Sequence, residues 1–527
     1  MPQHISTDSS SFPEIRKKGC VYVDKTAYFH KLITSADSRF FISHPRRFGK
    51  SLMISTLKAI FEGRRELFDG LAIVKTDWQW EKYPVLYFNL GFAAASSAID
   101  FSLSFPYAVE APIKEAGGEY NSQLPPSVNF ANAIDALYAS SHGKGVVILI
   151  DEYDDPVAQL LAKEDEAEKV REILATFHRQ MKDRTEKIRF LMITGVSKFT
   201  KMSVFSALSN LRDISFDTDY ATMLGYTEEE LDTFFGEHTR AHAERMGLSY
   251  DDYREKLKQW FNGYRFGKSS TQKVYNPVSI GLNLSKQEPY LESCWSSTGK
   301  AAMLMNFLKR EEVLDLDMDN ITDVQEIDFD VSNIRALKPI PMLFQTGYLT
   351  ISDYDPDTQM YSLCVPDFEV RQDLAMLMTT LTVNEDTLWV SNLKGQLFKS
   401  NWEEFFEGLK ALYAALPYGA KEKKTHEHSY ERNLLILLWA LGIPSQAEAR
   451  QSNGQADVVA VHKRGIFIFE LKVDESADAA LKQVKAKGYD APYRAMNAPI
   501  WHIGLNFDSK TRRLTDAKAE RFSATNG

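Results

Sequence analysis

Over its first 200 residues the chain alternates short, uninterrupted apolar runs with stretches of helical spacing. Phe40-Phe41-Ile42, Val85 to Leu90, Val146 to Ile150 and Ile188 to Val196 lack polar alternation, as strands buried on both faces do. Residues from Leu52 onward, 101–141 and about 165–184 carry the spacing of helices. Strands alternating with helices predict a parallel, doubly wound α/β sheet.

From about residue 225 this alternation stops, and helical patterns run to about 265, ending in the turn Asn262-Gly263-Tyr264-Arg265-Phe266-Gly267. This stretch is expected to form a helical lid. A hairpin follows within 340–370: Gly347 to Ile351, a turn at Asp353-Tyr354-Asp355-Pro356-Asp357, then Tyr361 to Val365. Helices followed by a hairpin suggest a winged-helix-like module, whose local acidity favours packing over DNA binding. Trp402, Phe405, Phe406, Leu409 and Leu412 lie at core spacing on a helix, and Lys421-Glu422-Lys423-Lys424 marks a solvated joint before the last domain. The expected boundaries are 1–224, 225–385, 386–425 and 426–527.

The first chemistry lies between the Phe40 run and the Leu52 helix, at Pro45-Arg46-Arg47-Phe48-Gly49-Lys50-Ser51. A helix N-terminus offers unpaired N–H groups and partial positive charge to phosphate. In this pattern Gly49 permits close backbone approach, Lys50 reaches β- and γ-phosphates, and Ser51 binds Mg²⁺. His44 occupies the position where G-x-x-x-x-G-K-[ST] has its first glycine. The bland alternative is a turn opening an ordinary basic helix. A second run, Gly145 to Ile150, ends in Asp151-Glu152, so two carboxylates emerge at the C-terminal edge of a buried strand. Asp151 is the expected Mg²⁺ ligand and Glu152 the group that polarises water. Thr194 or Ser197, ending the neighbouring strand, fits a γ-phosphate sensor or a helix cap. Arg46 and Arg47 fit phosphate binding, an arginine finger, or plain salt bridges.

These motifs, with Tyr22-Val23-Asp24-Lys25-Thr26, Thr194-Gly195-Val196-Ser197-Lys198-Phe199, Asn262-Gly263-Tyr264, Tyr275-Asn276-Pro277 and Gln345-Thr346-Gly347-Tyr348-Leu349, give the chain a resemblance along nearly its whole length. It resembles the bacterial predicted AAA-like ATPases that carry a C-terminal PD-(D/E)XK nuclease-like domain. The resemblance implies a P-loop NTPase core, a helical and winged-helix-like lid, and an α/β nuclease-like domain. It implies ATP and Mg²⁺ as cofactors, with Arg46, Arg47, Phe48, Gly49, Lys50, Ser51, Leu52, Asp151 and Thr194 at the nucleotide and Ser51 and Asp151 at the metal. In that family the arginine pair stands in for the missing glycine. The resemblance also places Asp24 and Lys25 near the nucleotide; their bland alternative is a helix cap and a solvated lysine.

At the other end, Gly454 to Val461 and Gly465 to Lys472 read as adjacent strands. Period-two alternation puts Glu470 and Lys472 on one face and Leu471 on the other, with Asp457 close by. Two hard oxygen ligands and a lysine are the equipment for metal-assisted phosphodiester hydrolysis. They match the PD-(D/E)XK pattern, in which Asp457, Glu470 and Lys472 are catalytic and Glu427, Asp457 and Glu470 hold metal. Glu431 is the alternative to Glu427, and Gln483 and Lys487 match the following helix. Gln455 departs from the family's Gly-Arg-x-Asp pattern. The bland alternative is a cross-strand ion-pair network.

Composition narrows the partners. Across 527 residues the formal net charge is −10, which argues against non-specific coating of nucleic acid and leaves local contact open. Cys20, Cys294 and Cys364 have no metal-ligand spacing, which fits a reducing compartment. Residues 1–20 open with a Ser-rich polar stretch expected to be frayed, without the pattern of a leader, and no apolar run approaches a membrane span. Cytoplasm is the expected location and nucleic acid the expected partner, DNA ahead of RNA, with a homo-oligomer left open. Two functions remain: an ATPase that regulates a Mg²⁺-dependent nuclease, or a nucleotide-switch scaffold whose nuclease-like domain binds nucleic acid without cutting it.

Overall fold

The computed structural model describes residues 3–93, 96–198, 210–288, 290–295, 318–329, 338–382, 388–415, 426–451, 454–496 and 498–522. The joint expected at Lys421 to Lys424, Phe199 and the side chain of Glu427 lie outside the described residues. The chain divides into the units Met1–Asp367 and Phe368–Gly527.

In the first unit, strands β1 (Arg39–Ser43), β2 (Val85–Asn89), β3 (Val146–Asp151), β4 (Ile188–Gly195) and β5 (Arg212–Asp213) form a parallel sheet of order β2-β3-β4-β1-β5. β3 is buried at every residue, which is why its sequence shows no polar alternation. Preceding these strands are helices α1 (Phe12–Lys17) and α2 (Thr26–Ile33); α3 (Lys50–Phe61), α4 (Ala98–Glu115), α5 (Pro126–Ser140), α6 (Asp155–Ala158) and α7 (Glu164–Arg179) lie between them. On one face Phe88 of β2, Phe130 of α5 and Phe177 of α7 pack together, the last two stacked at 4.3 Å. On the other, Phe61 of α3 meets Phe190 of β4 at 5.1 Å. Each such ring, fully buried, contributes on the order of 1.5–3 kcal/mol. The register aligns Ser43 with Gly195, Ile42 with Thr194, and Asn89 with Asp151, so polar strand ends collect at one edge.

The N-terminal stretch corrects the expectation of fraying. Ser11 caps α1 by accepting from the Glu14 N–H, and Phe12 is fully buried against Tyr22 and Phe68. Two apolar anchors, Phe12 and Ile15, outweigh the polar serines around them. Beyond the sheet come helices Glu228–Met246, Tyr250–Phe261 and Pro277–Ser285, and an antiparallel sheet of Ile321–Val324, Met360–Cys364 and Thr350–Asp355. The first strand of the hairpin runs to Asp355, so its turn lies later than the expected Asp353 to Asp357; cross-strand pairing of Tyr354 with Tyr361 extends it.

The second unit begins with helix Phe368–Thr382, inside the stretch 225–385 that the sequence assigns to the lid, and this helix packs against His426–Ala440. Its sheet is mixed: Ser445–Gln451, Gly454–His462, Gly465–Val473, Ile500–Phe507 and Leu514–Arg521, in that order, with only the third and fourth parallel. Helix Ala477–Lys487 crosses between the parallel pair.

Candidate functional site

A cavity of about 480 Å³ opens where α3 begins, lined by Arg46, Arg47, Phe48, Gly49, Lys50, Ser51 and Leu52, with Glu152 at the end of β3. Gly49 precedes the helix in a left-handed conformation at φ 92°, with no side chain capping the first turn, so the N–H groups there have no side-chain acceptor. Arg47 is left-handed too, at φ 71°. These two residues make the turn, and His44 is spared it. The His44 ring instead leaves the loop to stack on Phe266 at 3.9 Å, while its Nε2–H donates to the Ser215 carbonyl at 3.2 Å. Burial lowers its pKa to about 3, so the ring is neutral at ordinary pH.

Lys50 is buried, and its Nζ donates to the carbonyls of His44 and Pro45, both at 2.7 Å. Burial lowers its pKa to about 8, against the opposing pull of Asp151 and Asp154. Asp151 is fully buried; its Oδ1 accepts from Thr194 Oγ1 at 2.5 Å and from the Glu152 N–H at 3.0 Å, and its Oδ2 has no hydrogen-bond partner. A buried carboxylate oxygen left this way is costly unless something else meets it. Glu152 adopts φ 52°, and burial raises its carboxyl above the ordinary value, with Asp151 and Asp155 adding to the rise.

The surrounding charges are committed to partners. Arg46 pairs with Asp155 at 2.6 Å, and Arg47 donates to the Cys294 carbonyl. Asp154, which the motifs did not single out, accepts from the N–H groups of Val196 and Ser197 and from Ser197 Oγ, fixing the segment after β4. Ser197 is thereby held by Asp154, and Lys198 pairs with Asp213 at 2.9 Å beside the Phe216 ring. Lys25 is not solvated: it lines the cavity, buried, and bonds the Thr222 carbonyl and Glu230. Asp24 caps the turn into α2 and accepts from the Ala72 N–H at 2.7 Å. The remaining wall includes Val21, Tyr22, Val23, Tyr226, Pro277 and Val278. Three of these fall within the quoted Tyr22-Val23 and Asn276-Pro277 motifs; Tyr226 and Val278 had no local signal.

In the second unit the backbone ladder between Gly454–His462 and Gly465–Val473 reaches Val458 opposite Phe469. Beyond it the Asp457 side chain takes over, its Oδ2 accepting from the Leu471 N–H at 2.7 Å. Glu470 is fully buried and pairs with Lys472 at 3.1 Å, while Leu471 points into the opposite core. The two strands thus bring Asp457, Glu470 and Lys472 together. Tyr489 joins them: it is buried, bonds Gln483 and feels the charge of Glu470 and Asp457. Lys487 ends the helix that carries Gln483. Glu431 is buried with His428 at 3.3 Å, and Glu427 falls in the first turn of helix His426–Ala440.

Comparison with known proteins agrees with both halves. Residues 7–205 match the family described as predicted AAA-ATPase (AAA-ATPase-like), and residues 425–517 match the PD-(D/E)XK nuclease superfamily. The chain is 33% identical over 512 residues, 94% of each protein, to an uncharacterized protein in the vnfD 5′ region of Azotobacter chroococcum mcd 1. The chain therefore belongs to the family of AAA-ATPase-like proteins that carry a C-terminal PD-(D/E)XK nuclease superfamily domain.

Proposed function

We propose that the N-terminal unit binds and hydrolyses ATP with Mg²⁺, and that this activity regulates a metal-dependent nuclease in the C-terminal domain, acting on nucleic acid, DNA ahead of RNA. The observation that carries the ATPase reading is the unpartnered Oδ2 of buried Asp151, in a strand that ends at a cavity faced by an uncapped helix start and Lys50. Those groups suit a triphosphate and its cation, and about 480 Å³ lies within the range of roughly 300–1,000 Å³ typical of ligand pockets.

In this reading Lys50 and the first N–H groups of α3 bind the β- and γ-phosphates, Ser51 and Asp151 hold the cation, and Thr194 orients Asp151. The bound cation supplies neutralisation of phosphate charge. Glu152 takes the proton from the attacking water. Arg46 and Arg47 flank the phosphates, and the apolar wall from Val21 to Val278 receives the base. In the C-terminal domain Asp457 and Glu470, with Glu427 from the preceding helix, hold metal, and Lys472 stabilises charge on the phosphodiester. Gln455, exposed where the family pattern has arginine, favours the second reading, a scaffold that binds nucleic acid without cutting it.

One experiment separates the two. Full-length protein is incubated with Mg²⁺, ATP and a panel of single- and double-stranded DNA and RNA. Lys50→Ala should weaken ATP binding about 10- to 100-fold, the loss of a charge-assisted contact. Glu152→Gln should bind ATP but turn over about 100-fold more slowly, and its ATP-trapped form should change the cleavage rate. Wild-type protein that hydrolyses ATP and binds nucleic acid without cleaving it in any metal supports the scaffold.

A further inference from the structure

The Glu152 carboxylate lies against a residue with no side chain. An ideal Cβ built on Gly91, just beyond the end of β2, would lie 1.8 Å from Glu152 Oε2 and 3.0 Å from its Cδ. The carboxylate therefore occupies the space that any other residue at 91 would fill. Gly91 has no left-handed φ, so its backbone conformation does not call for glycine. The room is what calls for it.

The backbone at 91 is also held. Asn89 Oδ1 accepts the Gly91 N–H at 3.0 Å, fully buried Leu90 anchors the turn Leu90–Phe92, and Asn89 pairs in register with Asp151. On the opposite side Glu152 leaves β3 at φ 52°, a left-handed conformation that a non-glycine residue rarely adopts. The same Cβ would lie 3.2 Å from Asn89 Oδ1, which is tied to the Gly91 N–H, so the part that must yield most to a larger residue is the Glu152 carboxylate, the end of a flexible side chain. We propose that Gly91 is a positioning residue for Glu152, keeping open the space that holds its carboxylate at the cavity. This rests on the ATPase reading, in which Glu152 receives the proton of the attacking water.

Gly91→Ala in the full-length protein is expected to retain wild-type affinity for a fluorescent ATP analogue and to lose at least tenfold in kcat, since a displacement near 1 Å can cost on the order of 100-fold. Glu152→Asp shortens the side chain by one methylene and withdraws it from the contact. It should lower kcat alone but cause no further loss in the Gly91→Ala background. A Gly91→Ala protein within twofold of wild-type kcat, beside an inactive Glu152→Gln, overturns the positioning role and leaves the ATPase reading intact, as do fully additive losses. Full activity in Glu152→Gln overturns both. Should Gly91→Ala melt early, combining it with Glu152→Ala must restore the melting temperature; a deficit that persists without the glutamate side chain also overturns the role.

Discussion

Thr194 Oγ1 donates to Asp151 Oδ1 at 2.5 Å, joining the ends of two adjacent parallel strands and leaving Oδ2 as the oxygen without a partner. The hydroxyl thus decides which oxygen of Asp151 is left unbonded, the one that meets the cation in the proposed ATPase. Thr194→Val keeps the shape of the side chain and removes the donor. We expect the Mg²⁺ concentration for half-maximal ATP hydrolysis to rise about tenfold, the low end of what losing such a supporting bond costs a metal site. A Mg²⁺ titration at saturating ATP checks this, and an unchanged midpoint would remove Thr194 from the metal's support.

Burial moves two groups of the cavity in directions that predict a pH profile. Burial lowers the Lys50 pKa to about 8, and in the proposed ATPase it must be protonated to meet phosphate, so kcat/KM should fall as pH rises through about 8. Glu152 must be deprotonated to accept a proton, and its pKa is raised by burial and by Asp151 and Asp155, so the acid limb should lie above the ordinary carboxylate value of 4.5. Lys50→Arg, charged throughout, should abolish the alkaline limb whatever it does to the maximum. An alkaline limb that survives this change belongs to another group.

Asp154 carries a structural load beside the site. Its carboxylate accepts two backbone N–H groups and one hydroxyl, and it is buried. Asp154→Ala leaves these donors without acceptors, at a cost of about 3 kcal/mol or more. Asp154→Asn, which retains one acceptor oxygen, should cost less. Differential scanning calorimetry of the two variants gives the ranking, and equal transitions would refute it.

Much of this arrangement was legible because the physics was local. The strands betrayed themselves by unbroken apolar runs, since burial on both faces leaves no position for polar residues. Asp151-Glu152 announced a strand end, and Gly49-Lys50-Ser51 a helix start. What escaped depends on distant partners. Apart from the family resemblance, Lys25 reads equally as a solvated lysine, because the partner that buries it, Glu230, lies 205 residues away. His44 looks like a damaged motif until the positive φ angles fall on Arg47 and Gly49 and its ring finds Phe266. The N-terminal serines suggested a frayed end because composition averages over Phe12 and Ile15, the two residues that anchor it. Gly91 carries no motif, and the space beside it is filled by the side chain of Glu152, just beyond the end of another strand.

The C-terminal cluster admits a test in which fold and chemistry separate. Asp457 Oδ2 accepts the Leu471 N–H at 2.7 Å where the strand ladder has ended, so Asp457→Ala removes a backbone partner as well as a carboxylate. Loss of cleavage in that variant would be ambiguous between a missing ligand and a sprung strand pair. Asp457→Asn keeps an amide oxygen for the Leu471 N–H and discards the charge, and a metal site built on hard anionic oxygens fails when one is neutralised. Glu470→Gln does the same for the fully buried partner of Lys472, at a further cost, because it leaves that ammonium facing a neutral group. Both variants should therefore lose metal-dependent cleavage by at least 100-fold, with Asp457→Asn retaining wild-type melting temperature and Glu470→Gln melting slightly earlier. ATP hydrolysis should be unchanged in each, because neither residue belongs to the unit that holds Lys50 and Asp151. Cleavage that persists in Asp457→Asn would place any nuclease activity on other residues.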